Sequence, residues 1–166
     1  MAEITVRALS EDEWDEYRSI RLEALRESPE AFVATYAEEE QYDEDFWRLR
    51  MRRSQRLLAE VDGEAVGTAS VGFSEEEDHV AELFGLWVTP SLRGTGLATK
   101  LVAAGAKAAQ EAGRTHLTYW VGTDNARAVA FASGYGFRPT DKRRPVRVES
   151  EEDGEEEIQM ILSLVP

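Results

Sequence analysis

The chain has 166 residues, and 33 acidic against 19 basic side chains give it a net charge of −14 at pH 7. It has no cysteine, which excludes disulfides, thiolate metal sites and cysteine nucleophiles. The negative charge disfavours nucleic acid and anionic membranes as partners. It favours cationic small molecules or basic peptides, although its simplest interpretation is that it keeps the protein soluble.

No targeting signal is visible in the sequence. The opening residues MAEITVRALSEDEW lack the apolar core of a signal peptide. No apolar run approaches the roughly 18 residues that a membrane span needs. We therefore expect a cytoplasmic protein, and the length predicts one domain over residues 1–166 with a sizeable core.

The first third of the chain predicts one strand and two helices. Ser10 and Glu13 have the spacing of a capping box, in which each residue satisfies a backbone donor of the other at a helix start. The predicted elements are a strand over 3–9, a helix from the capping box to about Glu27, a loop with one helical turn over 29–42, and a helix from Asp43 to Arg53.

The remaining two thirds alternate strands and helices. The pair Asp62-Gly63 lies between two apolar runs and predicts a β-hairpin over 56–73. The later predicted elements are a polar loop over 74–79, a strand over 81–88, helices over about 95–112 and 124–134 with a strand over 115–121 between them, and a closing hairpin of KRRPVRVE and IQMILSLV around SEEDGEEE. This order predicts an α/β fold with a mixed, mostly antiparallel sheet and helices on both faces.

The strand over 81–88 and the residues after it organise the chain. Its apolar residues from Leu83 to Val88 leave no polar face, so we expect both faces of the strand to be covered. Gly85 interrupts the apolar run and predicts a bulge or a close backbone approach. Pro90 cannot donate a ladder hydrogen bond and ends the strand.

A glycine-rich turn, RGTGLA over residues 93–98, then opens the next helix. Bare backbone N–H groups at a helix N-terminus bind phosphate, so this turn predicts a site for a phosphorylated cofactor. A tight strand-to-helix connection without a ligand is the alternative. A dinucleotide site is set aside because its third glycine falls on Thr99 and the flanking hairpins do not suit a parallel sheet.

The motif Arg93-x-x-Gly96-x-Ala98, followed by Asn125 and Gly136-Phe137, resembles the signature of the GNAT superfamily of acetyl-CoA-dependent N-acetyltransferases. In element order the resemblance covers nearly the whole chain. It implies a sheet of about seven strands, splayed between the fourth and fifth strands and flanked by about four helices. It also implies acetyl-CoA as co-substrate, without a metal.

The resemblance assigns the donor side of the site. The backbone around Leu86 and Val88 would pair with the pantetheine arm, and an N–H near Val88 would stabilise the oxyanion. Asn125 would contact the cofactor through its side chain, and a helix cap is its structural alternative. The implied cofactor-binding residues are Leu86, Trp87, Val88, Arg93, Gly94, Thr95, Gly96, Leu97, Ala98, Thr99 and Asn125.

Acetyl transfer to an amine needs the neutral amine, although a lysine-like amine has a pKa of about 10.4, so a general base is expected. Glu82 is the candidate base because relatives place a glutamate on this strand. The alternative interpretation of Glu82 is an exposed carboxylate at the end of a strand without a catalytic role. His79 is the alternative candidate for the base. In the family that the chain resembles, a tyrosine seven residues after the asparagine usually protonates the leaving thiolate. In this sequence that position holds Ala132. Tyr135, one helical turn later, is the candidate acid, with core packing as its alternative.

The resemblance places the acceptor pocket near the first two helices and their connection. Phe32 is the candidate substrate-lining residue, with core packing as its alternative. Acidic residues between Glu38 and Asp45 would suit a cationic amine through electrostatic steering. Basic clusters over 48–56 and 142–147 are interpreted as solvated faces paired with surplus carboxylates. The alternative places one of these clusters near the 3′-phosphate of coenzyme A or near an anionic acceptor.

The sequence thus predicts an N-acetyltransferase that acts on a primary amine of a small molecule or peptide. One alternative is a non-catalytic acyl-CoA-binding or sensor module, which Ala132 motivates. Another is an interaction protein that uses the fold as a scaffold. Homodimers are common among relatives, and the closing hairpin is a candidate interface.

Overall fold

The computed structural model describes residues 3–145 and 156–165. The strands are β1 (Ile4–Ala8), β2 (Gln55–Val61), β3 (Glu64–Phe73), β4 (Val80–Val88), β5 (His116–Gly122), β6 (Arg138–Pro145) and β7 (Glu156–Ser163). The helices are α1 (Trp14–Glu27), α2 (Tyr36–Glu39), α3 (Glu44–Arg53), α4 (Leu97–Glu111) and α5 (Ala126–Tyr135). The predicted Arg147 and most of the acidic hairpin tip, over 149–157, lie outside the described residues.

The start of α1 is built by the predicted capping box. The Ser10 backbone N–H donates to the Glu13 carboxylate at 2.9 Å, and a 3-10 turn over Glu11–Glu13 leads into the helix. The Ser10 N–H and the Arg7 guanidinium lower the pKa of Glu13 to about 2. An ionised carboxylate also suits the positive end of a helix. The prediction of a helix start at Ser10 is therefore confirmed.

The predicted hairpin turn between β2 and β3 is also confirmed. Asp62 and Gly63 both have left-handed backbone angles, with φ of 52° and 80°. Such a pair closes a two-residue hairpin whose twist matches that of the flanking strands. Val61 and Glu64 are accordingly paired across the turn.

The described chain divides into two compact units. The first contains the residues up to Gly72 together with Leu83–Ala108, and the second contains Phe73–Glu82 together with the residues from Ala109 onward. The strand β4 is divided between the units, with residues 80–82 in the second and 83–88 in the first. The strand order is β1-β2-β3-β4 in the first unit and β4-β5-β7-β6 in the second. The β1/β2, β2/β3, β5/β7 and β6/β7 pairs are antiparallel. A seven-stranded, mostly antiparallel sheet is therefore confirmed, and the single domain stays a prediction.

In the first unit, α4 packs closely against the sheet. A Cβ atom on Gly105 would lie 3.0 Å from Leu83 Cδ1 and 3.4 Å from Val71 Cγ2. A larger residue would push the helix away, so glycine permits the short helix-to-sheet distance. Leu97 and Leu101 of the same helix are fully buried. This contact fixes where the N-terminus of α4 lies relative to β4.

A second part of the same core joins α1 and α3. Trp47 is completely buried, and the ring of Tyr17 meets it edge-on with centroids 5.8 Å apart. Leu25, Leu58 and Trp87 belong to the same cluster. This packing holds the two helices that carry the arginines of the cavity described below.

Two kinds of feature are missing from residues 3–145 and 156–165. No helix there combines the length and hydropathy that a membrane crossing needs. Nor are three His, Cys, Asp or Glu side chains grouped there as metal ligands.

Candidate functional site

The glycine-rich turn after β4 has a left-handed backbone at both of its glycines. Gly94 has a φ of 82° and Gly96 a φ of 88°. A Cβ atom on either residue would meet nothing within 4 Å, so the requirement for glycine comes from the backbone conformation and not from crowding. The turn is exposed, and its backbone is open to a ligand.

The N-terminus of α4 follows this turn directly. In the described chain its helical bonding begins with Lys100 N–H, which donates to Gly96 O at 3.1 Å. The N–H groups from Leu97 to Thr99 come before that bond, and the first N–H groups of a helix have no intrahelical acceptor. Together with the positive end of the helix dipole they suit a phosphate group. The turn therefore suits a phosphate group, and its assignment to the pyrophosphate of coenzyme A stays a prediction.

The Arg93 side chain is exposed, but two hydrogen bonds tie it back to the end of β4 and the end of α1. Its Nε donates to Val88 O at 3.2 Å, and its Nη2 donates to Ser28 Oγ at 3.2 Å. The indole N–H of Trp87 donates to the same Ser28 Oγ at 3.0 Å. Ser28 therefore joins the end of α1 to both β4 and the turn. Sequence reasoning missed Ser28, since a serine before a proline after a helix has no signal of its own.

The strand β4 is covered less completely than the sequence predicts. Leu83, Trp87 and Val88 are buried, but Phe84, Gly85 and Leu86 are half-buried. The difference arises because Phe84 and Gly85 line a cavity. Gly85 has a φ of 63°, which agrees with the predicted irregularity of the strand.

Burial decides what the predicted cofactor-binding residues can offer. The side chains of Trp87, Val88 and Leu97 are buried, so only their backbone atoms are available to a ligand. The structure brings the predicted stretches Leu86–Val88 and Arg93–Thr99 together in the first unit. Their role in binding coenzyme A stays a prediction.

Asn125 lies in the second unit, at the start of α5. Its Oδ1 accepts the backbone N–H of Ala128 at 3.1 Å, so the residue is a helix cap. The structural alternative considered for Asn125 is thus confirmed. Asn125 is exposed, and a contact between its side chain and the cofactor stays a prediction.

Glu82 lies among side chains from three other strands of the second unit. The pKa of Glu82 is raised, mainly because burial disfavours its charged form, and the charge of Glu157 raises it further. The Arg144 guanidinium and the Trp120 indole act in the opposite direction. Arg144 lies over the Trp120 ring, with Cζ 4.2 Å from the centroid, and its Nε donates to Glu157 at 2.9 Å. The half-buried Glu82 is therefore not the exposed strand-end carboxylate of the alternative interpretation. A carboxylate with a raised pKa is a stronger base.

His79, the alternative base, is more exposed than Glu82. Its ring meets His116 edge-on, with centroids 6.0 Å apart. The backbone carbonyl of His79 accepts the N–H groups of Thr115 and His116, which holds the end of the loop beside β5. These contacts give His79 a structural role. They do not decide whether Glu82 or His79 is the base.

The position of the expected family tyrosine contains no polar side chain. Ala132 is fully buried, and its carbonyl accepts the N–H groups of Gly136 and Phe137 at the end of α5. Tyr135 is half-buried with its ring 6.0 Å from that of Phe137, and burial raises the pKa of Tyr135. Both interpretations of Tyr135, proton donor and packing residue, agree with this placement.

A cavity of about 210 Å³ lies within the first unit, beside β4. Phe32, the candidate substrate-lining residue, forms part of its wall. Three aromatic rings (Tyr17, Phe32 and Phe84) and three arginines (Arg21, Arg50 and Arg56) line it. The role of Phe32 toward a substrate stays a prediction.

Three residues differ from the expectations for the acceptor side. Arg50 of α3 and Arg56 of β2 do not belong to a solvated face, because both side chains form part of the cavity wall. Glu39 cannot steer a cationic amine, because its carboxylate is only 2% exposed and pairs with Arg21 and Arg50. The exposed pairs of the same cluster, such as Arg52 with Glu11, agree with the prediction.

Comparison with known proteins adds three findings. A family model described as acetyltransferase (GNAT) family matches residues 7–137. An uncharacterized N-acetyltransferase of Archaeoglobus fulgidus is 30% identical over 84% of this chain and 93% of its own length. Another, of Methanocaldococcus jannaschii, is 27% identical over 80% of this chain, and the match spans only 60% of that relative.

A solved structure confirms the predicted fold class. The protein yncA of Salmonella typhimurium, whose structure contains its cofactor acetyl-CoA, superposes with a TM-score of 0.72. The superposition covers 98% of this chain and 94% of yncA. At 20% sequence identity this likeness establishes the shared fold alone.

Proposed function

Because the chain belongs to the GNAT family of acetyltransferases, we propose that it transfers an acetyl group from acetyl-CoA to a primary amine of a small molecule or peptide. The observation that carries the proposal is the left-handed turn at Gly94 and Gly96, which leads from β4 into the N-terminus of α4. Bound acetyl-CoA supplies the thioester carbonyl that the amine attacks.

The first unit holds the donor. Backbone N–H groups from Arg93 to Thr99 bind the pyrophosphate, because they surround a positive helix end. The backbone around Leu86 and Val88 pairs with the pantetheine arm in the manner of an added strand. Arg93 supports this arrangement, since its bonds to Val88 O and Ser28 Oγ tie the turn to the end of β4.

The second unit supplies the acid and base. Glu82 accepts a proton from the acceptor amine, and its raised pKa favours this role. The phenolic O–H of Tyr135 donates a proton to the leaving thiolate of coenzyme A. A thiol has a pKa of about 8.5, so its thiolate is a tolerable leaving group and the donor matters less than the base.

A non-catalytic acyl-CoA-binding or sensor module is the second candidate. The buried Ala132 favours it, because no polar side chain occupies the position where the family resemblance implies a tyrosine. Such a protein would bind acetyl-CoA through the same turn without releasing a thiol. The two candidates therefore differ in turnover and not in donor binding.

Two measurements on the full chain test these proposals. Calorimetry with acetyl-CoA should give one binding event per chain. Thiol release is then measured with polyamines, aminoglycosides, amino acids and N-terminal peptides, and at least one class should support turnover. Absence of acetyl-CoA binding overturns both candidates, whereas binding without thiol release from any class favours the sensor module.

The cytoplasmic location and the homodimer stay predictions. The closing hairpin remains the candidate interface, formed by β6 and β7 in the described chain. Sedimentation at several protein concentrations tests the dimer.

A further inference from the structure

The cavity of the first unit holds more positive than negative charge. The Glu39 carboxylate accepts Nε and Nη2 of Arg21, both at 3.1 Å. It also accepts Nη1 and Nη2 of Arg50, at 2.7 and 3.3 Å. These four bonds fill the acceptor sites that a carboxylate offers. Two guanidinium groups thus share one negative charge, and one positive charge remains.

Arg56 of β2 adds a second uncompensated charge. The residue is 5% exposed. Its Nε and Nη2 donate to Arg50 O at 3.3 and 3.1 Å, and its Nη1 donates to Ser70 Oγ at 2.8 Å. These acceptors are neutral, and no carboxylate within residues 3–145 and 156–165 forms an ion pair with Arg56. A guanidinium has five N–H donors, so some of them remain for a ligand.

A buried guanidinium without a counter-charge is costly, because desolvation is not offset by an ion pair. Burial lowers the pKa of Arg56, and the neighbouring charges of Arg50 and Arg21 lower it further. A bound anion would offset this cost. The net charge of −14 makes the cavity an exception on an otherwise acidic protein.

Aromatic rings fix the orientation of these guanidinium groups. Arg56 Cζ lies 4.8 Å from the Tyr17 centroid and 5.4 Å from the Phe84 centroid, and Arg21 Cζ lies 5.0 Å from the Phe32 centroid. Stacking of this kind holds the planar groups in place before a ligand arrives. The donors are therefore preorganised for a planar anion such as a carboxylate.

The position and size of the cavity match the acceptor side of the proposed reaction. Gly85 lines the cavity and precedes Val88 by three residues, or roughly 10 Å along an extended strand. An anion in the cavity would thus lie near the stretch assigned to the thioester. The volume of about 210 Å³ is below the roughly 300–1,000 Å³ of pockets for drug-sized ligands, so the acceptor is small.

We propose that the acceptor is a small amine that also carries a carboxylate, as an α-amino acid does, and that Arg56 with its neighbouring arginines binds this carboxylate in the cavity. The inference rests on the proposed acetyl transfer and names its substrate class. The same charges disfavour the ammonium form of the amine, because a nearby like charge lowers its pKa. The cavity therefore favours the neutral, reactive amine, and this assignment replaces the expected cationic acceptor.

Matched acceptors test the substrate class. The kcat/KM for thiol release is compared for an amino acid, its carboxamide, its aminophosphonate analogue and its decarboxylated amine. We expect the amino acid to exceed the carboxamide and the amine by about 10- to 100-fold, the effect of a charge-assisted hydrogen bond. Equal values, a preference for polyamines, or a preference for the aminophosphonate would overturn the inference while leaving acetyl transfer intact.

Variants test the role of Arg56. Arg56→Lys keeps the charge but loses the planar fork, so KM for the amino acid should rise about tenfold with the acetyl-CoA Kd unchanged. Ser70→Ala removes an acceptor that orients Arg56 and is a milder test if Arg56→Lys does not fold. Arg48→Gln is the control, since Arg48 lies on the same helix as Arg50 but pairs with Glu11, Asp12 and Glu44 and does not line the cavity.

A binding measurement separates this inference from the proposed function. Saturation-transfer NMR follows the amino acid with the protein alone, without acetyl-CoA. The signal should be present in the wild type and in Arg48→Gln, and reduced in Arg56→Lys. An unchanged signal and KM in Arg56→Lys would show that Arg56 does not bind the acceptor, whatever the result with acetyl-CoA.

Discussion

Trp87 donates its indole N–H to Ser28 Oγ at 3.0 Å, which joins β4 to the end of α1 across 59 positions of sequence. Arg93 of the glycine-rich turn donates to the same oxygen at 3.2 Å. One hydroxyl therefore supports both the strand and the turn that are proposed to bind the donor. Because Ser28 and Trp87 are buried, water cannot readily replace this acceptor.

Ser28→Ala should weaken both stability and donor binding. The Trp87 N–H would be left buried without its acceptor, which costs about 1–3 kcal/mol. Arg93 would lose one of its two anchors, so the acetyl-CoA Kd should rise severalfold. Urea unfolding and calorimetry measure the two effects. Ser19→Ala, at an exposed position of α1, is the control and should change neither. An unfolding free energy equal to that of the wild type would show that the shared acceptor is unimportant.

Alanine at the two glycines of the turn should separate backbone strain from ligand binding. Gly94→Ala and Gly96→Ala force a left-handed conformation on alanine, which costs about 1–2 kcal/mol. Each also adds a methyl group beside the backbone proposed to bind the pyrophosphate, so the acetyl-CoA Kd should rise about tenfold or more. Urea unfolding gives the first quantity and calorimetry the second.

Gly63→Ala is the matched control for these variants. Gly63 has a φ of 80°, and a Cβ atom there meets nothing within 4 Å, as at Gly94 and Gly96. Its strain is comparable, but it lies in the hairpin turn between β2 and β3. It should lose similar stability and retain the acetyl-CoA Kd. A common loss of affinity in all three variants would point to destabilisation and not to the turn.

The parts of the site that sequence could predict depend on local rules. Gly94 and Gly96 mark left-handed backbone before a helix, and a Ser10–Glu13 spacing marks a helix start. The carboxylate of Glu39 has no comparable signal, since its partners Arg21 and Arg50 lie 18 and 11 residues away on other helices. An isolated sequence cannot distinguish an exposed glutamate from a buried one in such a helix. Long-range side-chain pairing therefore decided the charge of the cavity.

Glu39→Gln should reveal this buried pairing through pH. The hydrogen bonds and charges of Arg21 and Arg50 lower the pKa of Glu39 below 4.5 despite burial, which acts in the opposite direction. A lowered folded-state pKa stabilises the protein above the unfolded-state value, and this stabilisation is lost as pH falls through the folded-state value. At pH 7 the variant should lose about 3 kcal/mol, because the half-buried guanidinium groups of Arg21 and Arg50 lose their buried counter-charge.

The difference between the wild type and Glu39→Gln should shrink as pH falls below about 4.5. Urea unfolding at several pH values measures it. Glu40→Gln is the control, because Glu40 is exposed and its backbone carbonyl, not its carboxylate, accepts Arg18. A difference that stays constant down to the acid transition would mean that the carboxylate is not ionised in the folded protein.

The pH dependence of catalysis tests Glu82 as the base. The base must be deprotonated, so kcat/KM should rise with pH through the raised pKa of Glu82 and then level off. Glu82→Gln should lower kcat/KM about 10²- to 10⁴-fold and remove this acidic limb. Arg144→Gln removes a positive charge that lowers the pKa of Glu82 and releases Glu157, whose charge raises it. Both effects should move the limb to higher pH.

Arg143→Gln is the matched control, since Arg143 is exposed and its guanidinium donates to the backbone carbonyls of Thr140 and Lys142. Its acidic limb should coincide with that of the wild type. A limb that persists in Glu82→Gln would assign the titration to another group, and His79→Gln would then be the next variant. A limb that moves to lower pH in Arg144→Gln would contradict the charge relationship itself, because removing a cation can only make a nearby carboxylate easier to protonate.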